Sequence, residues 1–134
     1  MCDRLPENDS LNTYPLDEYV TVALDGTGKG QASLGPQVVR EHWQPSAISV
    51  GAGVPADQLQ HDAQCVLYFG TTAGNGGTFV SQTATGSSGD TCAWGQDVPS
   101  GYLFTAIWAG GDPAVPHTMH ITGQRTIGSP VMGS

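Results

Sequence analysis

GYLFTAIWAGGDP, residues 101 to 113, is the stretch whose reading decides the fold. An apolar run from Tyr102 to Trp108 follows Pro99-Ser100-Gly101 and stops at Gly110-Gly111-Asp112-Pro113. Alternation with a period of two puts Tyr102, Phe104, Ala106 and Trp108 on one face and Leu103, Thr105 and Ile107 on the other. Neither face is polar. A run this short, aromatic and β-branched, and bounded by turn residues, reads as a strand rather than a buried helical turn. Being apolar on both sides, it is expected in the middle of a sheet. Its second face would then be covered by its own chain or by another.

Working outward, Ala63 to Gly70 (AQCVLYFG) has the same two-faced character through Cys65, Leu67, Phe69 and Val66, Tyr68. It is the natural companion of the Tyr102 strand. Tyr19 to Leu24 alternates with Val20, Val22 and Leu24 on one face, and Asp25-Gly26-Thr27-Gly28 turns it into Lys29 to Gly35, the best hairpin in the sequence. Trp43 to Gly51 is a further strand, with Pro45 confined to its start or to an edge. Pro55 and its polar neighbours mark Gly51 to Asp62 as a loop with one helical turn at Ala56 to Leu59. Thr78 to Thr85, Thr91 to Trp94 and His117 to Gln124 complete the set, the last with Met119 and Ile121 facing in and Thr118, His120 and Thr122 facing out. About eight short strands with regular turn signals predict an all-β fold, an antiparallel two-sheet β-sandwich. A jelly-roll order is preferred, with an immunoglobulin-like order as the alternative. The domain is expected over residues 19–125, after an acidic extended N-terminal arm at 1–18 and before a small-residue tail at 126–134.

Nineteen glycines, nine prolines and only 12% charged residues suit a turn-rich sandwich of one domain. The formal net charge of -8 repels a nucleic-acid backbone, so DNA or RNA is not an expected partner. No apolar run approaches the length that crosses a bilayer, and the first twenty residues lack the basic start and apolar middle of an export signal. Three cysteines, an odd number, point to folding in a reducing cytosol rather than to a disulfide framework. A bridge between Cys65 and Cys92 is left open.

Catalytic and metal chemistry find little footing. His117 and His120 share a face only on a helix; on a strand they diverge, and the ordinary surface reading is preferred for both. His61-Asp62 could orient a catalytic imidazole, but there is no G-x-S-x-G elbow to supply the serine. Asp25 to Gly30 lacks the G-K-[ST] ending of a phosphate loop and the acid spacing of a calcium loop. Asp57, Asp62, Asp90, Asp97 and Asp112 could bind calcium between loops, yet isolated loop acids are usually only solvated. The expectation is a non-enzymatic protein with no cofactor and no metal. Trp43 and Trp94 are the rings that could lie on a surface, as interface or glycan-stacking residues.

The run from Gln64 to Gly123 resembles a family of small β-sandwich virion proteins encoded by tailed phages of actinobacteria. The resemblance is carried by Cys65-Val66-Leu67-Tyr68-Phe69-Gly70, by Thr85-Gly86-Ser87-Ser88-Gly89-Asp90-Thr91, by Ala106-Ile107-Trp108-Ala109-Gly110-Gly111-Asp112-Pro113 and by Ile121-Thr122-Gly123. The opening strand and Leu34-Gly35-Pro36 match as well. The resemblance implies a structural part of a phage particle, folded in the bacterial host and placed on the capsid surface or with the tail. As a decoration or cement protein it would form a homo-oligomer, expected to be a trimer, on the major capsid protein. The arm would reach the lattice through Leu5, Leu11, Tyr14 and Leu16. The alternative is a tail-associated module that binds a host surface glycan or receptor. A cell-wall hydrolase is a third and weaker reading.

Overall fold

The computed structural model describes residues 11–128, which form eight strands in two antiparallel sheets of four. In chain order they are β1 (Leu11–Ala23), β2 (Gly30–Leu34), β3 (Glu41–Ala52), β4 (Gln64–Gly70), β5 (Thr78–Thr83), β6 (Asp90–Ala93), β7 (Leu103–Ala109) and β8 (Pro116–Gly128). The expected helical turn is present as a single 3-10 turn, Ala56–Gln58. One sheet runs β1-β8-β3-β6 and the other β2-β7-β4-β5. Successive strands thus sit in alternate sheets or return beside distant ones, the double Greek key of a jelly roll. That order excludes the immunoglobulin-like alternative.

The run that decided the fold is β7, paired on one side with β4 and on the other with β2. Phe104, Ala106 and Trp108 on its inner face are completely enclosed, together with Met119, Ile121 and Ile48 of the facing sheet. Its outer face is covered in part by its own chain. The β4–β5 connection folds back so that the Gly74 N–H donates to Thr105 Oγ1 at 3.2 Å, burying that hydroxyl, while Leu103 and Ile107 stay half-buried.

Three sequence expectations change. The turn at Asp25 is real, because Asp25 Oδ1 accepts from the Thr27 N–H, the Thr27 hydroxyl and the Lys29 N–H. Beyond it the strands part company: β1 pairs with β8 and β2 with β7, so the predicted hairpin is a corner that carries the chain from one sheet to the other. Local turn chemistry fixes a reversal, but which strand pairs with which is set by partners far away in sequence. The corner is tight. Gly28 has φ +79, and a Cβ there would lie 2.3 Å from the Gly111 carbonyl oxygen.

The arm and tail boundaries also move. Residues 11–18 belong to β1 and pair from Leu11↔Gly128 onward with β8, and Leu16 is 2% exposed, inside the core. Composition makes this segment look unable to order alone, and alone it would be; β8 supplies the backbone partners. Residues 126–128, expected in the tail, end that same strand. Finally, Trp43 is 3% exposed. Strict alternation from Ile48 and Val50 would turn it outward, but the register of β3 against β8 shifts between Pro45 and Ala47. That bulge puts Glu41, Trp43 and Pro45 on the same inward face as Ile48. Gly123 accommodates it at φ +152, where a Cβ would stand 2.4 Å from the Gln44 carbonyl oxygen and 2.7 Å from the Ser46 nitrogen.

Gly123→Ala should therefore cost about 2 kcal/mol or more of unfolding free energy in a urea titration. Gly26→Ala, whose added Cβ meets nothing within 4 Å, should stay within about 0.5 kcal/mol of the parent.

Candidate functional site

Most of the titratable side chains fall into small hydrogen-bonded clusters, two of which close the ends of the sandwich. The largest is built on the β5–β6 connection. Trp108 Nε1 donates to the Gly86 carbonyl at 3.0 Å and the Gly86 N–H donates to Ala63 O at 2.8 Å. Ser87 follows, 2% exposed, with its hydroxyl 2.7 Å from His117 Nε2 and accepting from the Ala63 N–H at 2.9 Å. His117 Nδ1 lies 3.0 Å from the Val115 carbonyl, which can only accept, so the proton is on Nδ1. Nε2 then accepts the Ser87 O–H, and every polar atom of the pair is satisfied. Below it the Asp62 carboxylate takes the N–H groups of Ser87 and Ser88 at 2.9 and 3.0 Å and the Ser88 hydroxyl at 2.6 Å.

This brings a serine, a histidine and an aspartate together, but not as a hydrolytic site. His117 is fully enclosed rather than on the surface as expected, and Asp62 serves the serine's backbone instead of orienting the imidazole. The serine–histidine contact spans thirty positions of sequence, and no local signal announces it. His61, the imidazole considered from sequence, is exposed and gives its backbone N–H to Asp112 at 3.0 Å.

The other groups are equally occupied. Asp112 also accepts from the Gln60 N–H at 2.7 Å, Asp90 from the Thr91 N–H at 2.8 Å, and Asp97 from Gln44 Nε2, with His42 Nδ1 at 2.6 Å from its second oxygen. His120 turns outward from β8 to meet Asp17. At the opposite end Arg125 lies between Glu18 and Glu41 at 3.3 and 3.4 Å, and Glu41 also takes the Trp43 indole N–H at 2.9 Å. Among the described residues no three His, Cys, Asp or Glu side chains converge as a metal-binding group; of the acids considered for calcium, Asp57 and Asp62 share the β3–β4 connection, Asp90 begins β6, and Asp97 and Asp112 lie on two further connections.

Cys65 and Cys92 are both free and line a cleft of about 40 Å³ between the sheets, with Ile48, Val50, Leu67 and Thr83 among its walls. That volume holds a water or two, not a substrate. Burial pushes the Cys65 thiol up to about 12 and raises that of Cys92 as well, so neither is a thiolate at neutral pH.

The aromatics considered as binding residues also go inward. Trp43 is core, and Trp94 is half-buried against Phe69 and Phe104, ring centroids 5.0 and 4.9 Å apart, with its indole N–H buried and unpartnered. Trp43 has no face open to a sugar, and Trp94 only the part of its ring that Phe69 and Phe104 leave uncovered. Of the arm positions, Leu5 lies outside the described residues, Leu11 begins β1, Leu16 is core, and Tyr14 is exposed. Among the described residues, the large apolar side chains that reach solvent most are Tyr14 and Tyr19 on β1, Val38 and Val39 on the β2–β3 connection, and Phe79 on β5. Phe79 meets Tyr68 edge to face at 6.3 Å. Sequence reading passed over Tyr19, Val38, Val39 and Phe79 as surface groups.

No family model and no curated protein matches the sequence. Among solved structures the chain is similar to one from Desmodium yellow mottle tymovirus, at 12% identity over 98% of this chain and 95% of that one, with a TM-score of 0.43. The jelly-roll assignment stands on strand order alone.

Two outcomes follow from these clusters. Ser87→Ala leaves the Ala63 N–H and His117 Nε2 without partners and should cost about 2–3 kcal/mol of stability, while a serine-directed fluorophosphonate should leave the native chain unlabelled. For Asp62, burial raises the carboxyl, but the hydrogen bonds from Ser88 and Ser87 outweigh it, and the net shift is below the ordinary 3.8. A depressed folded value gives stability that is present above the unfolded value and lost as pH falls through the folded one. Unfolding free energy should therefore drop below about pH 4. Asp62→Asn should lower stability at pH 7 by about 1 kcal/mol and shrink the difference between pH 7 and pH 3.

Proposed function

We propose that the chain is a non-enzymatic structural protein of a virus particle, a phage capsid decoration protein that binds the outer surface of the major capsid protein lattice and its own copies. The observation that carries this reading is where the exposed apolar side chains lie. Tyr14 and Tyr19 are on an edge strand of one sheet, Val38 and Val39 on a connection, and Phe79 on an edge strand of the other sheet. A protein that serves one small ligand needs one concave pocket of several hundred Å3. A protein that sits in a lattice needs several separate, shallow contacts on different sides. The interior, filled by Trp108, Phe104, Met119 and Ile121, and the occupied hydrogen bonds of every acid–base cluster described above fit the second case.

The jelly-roll strand order and the resemblance of Gln64 to Gly123 support the same reading. Glycan binding loses Trp43 to the core and is left with the half-buried ring of Trp94. Docking by the whole of residues 1–18 is narrowed too, because removing Leu16 would open the core. The part of that arm that can be deleted without touching β1 is residues 2–10.

Quantitative mass spectrometry of purified particles of the encoding virus tests the reading. A decoration protein is expected at a copy number comparable to that of the major capsid protein, and purified chain should rebind saturably to heads that lack it. A handful of copies per particle would place it in the tail, and absence from particles would overturn the reading. Deleting residues 2–10 should leave the thermal midpoint within a few degrees while lowering occupancy on heads.

A further inference from the structure

We infer that the outer face of the β2-β7-β4-β5 sheet is a self-association surface, covered by the same face of a second copy of this chain about a two-fold axis. Residues 30–34, 64–83 and 103–109 make up all four strands and the β4–β5 connection, and they contain no Asp, Glu, Lys, Arg or His. The other sheet carries Asp17, Glu18, Glu41, His42, Asp90, His117, His120 and Arg125. On a chain with a formal net charge of -8, one sheet is free of charge from edge to edge.

That face also leaves aromatic surface uncovered. Phe79, 56% exposed, stands edge to face with Tyr68, and Val66 and Ile107 lie beside them in register, half-buried. Around these four the polar groups are amides and a hydroxyl: Gln31, Ser33, Gln64 and Gln82. An aromatic and aliphatic centre, a neutral polar rim and no charge is the composition of a protein–protein interface core.

Charge selects the occupant. A basic partner gains by meeting carboxylates and would be drawn to the acidic sheet. A second copy of the same acidic chain gains from a face that carries no charge of either sign, since every carboxylate at such a contact would oppose its own like. A single self-complementary surface is all that a two-fold contact requires, and it closes at two. The inference stands apart from the virion reading, because a dimer absent from any particle would keep the one and sink the other.

Light scattering and sedimentation equilibrium on the full chain test it. The parent should have twice the chain mass at micromolar concentration, and raising salt from about 0.05 to 0.5 M should leave or tighten the association, because only repulsion is screened. Phe79→Lys should raise the dissociation constant at least about tenfold. It brings the net charge from -8 to -7, so any general effect of charge runs the other way. Val39→Lys, the same change at an exposed site on the β2–β3 connection, should leave the mass unaltered. Gln82→Lys, exposed on the same face, is the second variant should Phe79→Lys fail to fold. A monomer at about 100 μM, a dimer indifferent to both lysines on this face, loss of the dimer with Val39→Lys instead, or a trimer would each overturn the inference.

Discussion

The indole of Trp108 sets the terms for much of this molecule. It is wholly enclosed between the two sheets, and its N–H, which would cost about 1–3 kcal/mol if left unpaired in an apolar interior, needs an acceptor there. The Gly86 carbonyl provides it, which ties the β5–β6 connection down over the end of the sandwich. Gly86 itself has no room for a side chain, since a Cβ would stand 2.7 Å from that of Cys65. With Gly86 fixed, Ser87 is carried inside and must be satisfied in turn. His117 of the opposite sheet and the Ala63 N–H do so, and the Ser87 carbonyl accepts from the Ala52 N–H at 2.8 Å. One buried donor thus propagates into a chain of hydrogen bonds that joins β7, β8 and the ends of β3 and β4.

This explains why the turn motifs Thr85 to Thr91 and Gly110 to Pro113 stand out in the sequence. Asp112 gathers the Gln60 and His61 N–H groups, and the Gly111 N–H donates to Gly28 O at the corner between the sheets. A sandwich has two open ends, and loops that close them bury backbone polar groups that must find partners. Serine, aspartate and glycine there are what that accounting requires. A serine–histidine–aspartate set in such a place is a structural knot.

Strand identity and position were largely legible because each strand is short, alternates and is bounded by Gly, Pro or Asx turns. Pairing was not. Asp25 to Gly28 has every local mark of a hairpin, and its hydrogen bonds form, yet β1 and β2 go to different sheets. The choice between β2 and β8 as partner for β1 is made by contacts across about a hundred positions, invisible to any local window. Trp43 was misplaced for a different reason: one bulge at Pro45 inverts the alternation, so a correct strand gave the wrong face. Leu16 is hidden because charge and proline dominate its neighbourhood, and His117, on the same inward face as Met119 and Ile121, because it stands at the very start of β8. What the sequence did hold in plain sight was the absence of charge from three separate segments, which acquires meaning only once topology gathers them into one sheet.

That gathering gives the two sheets different characters. The β1 edge is thirteen residues long and would invite uncontrolled pairing, but Pro15, Asp17 and Glu18 interrupt it with a missing donor and two carboxylates. The β5 edge is six residues long, has no charge to guard it and carries an exposed Phe79. A chain that protects one edge and leaves the other bare is not simply short of protective residues, since twelve acids were available to place. An unguarded apolar face persists in an acidic domain when something of matching shape and compatible charge covers it, and every copy of this chain carries such a face.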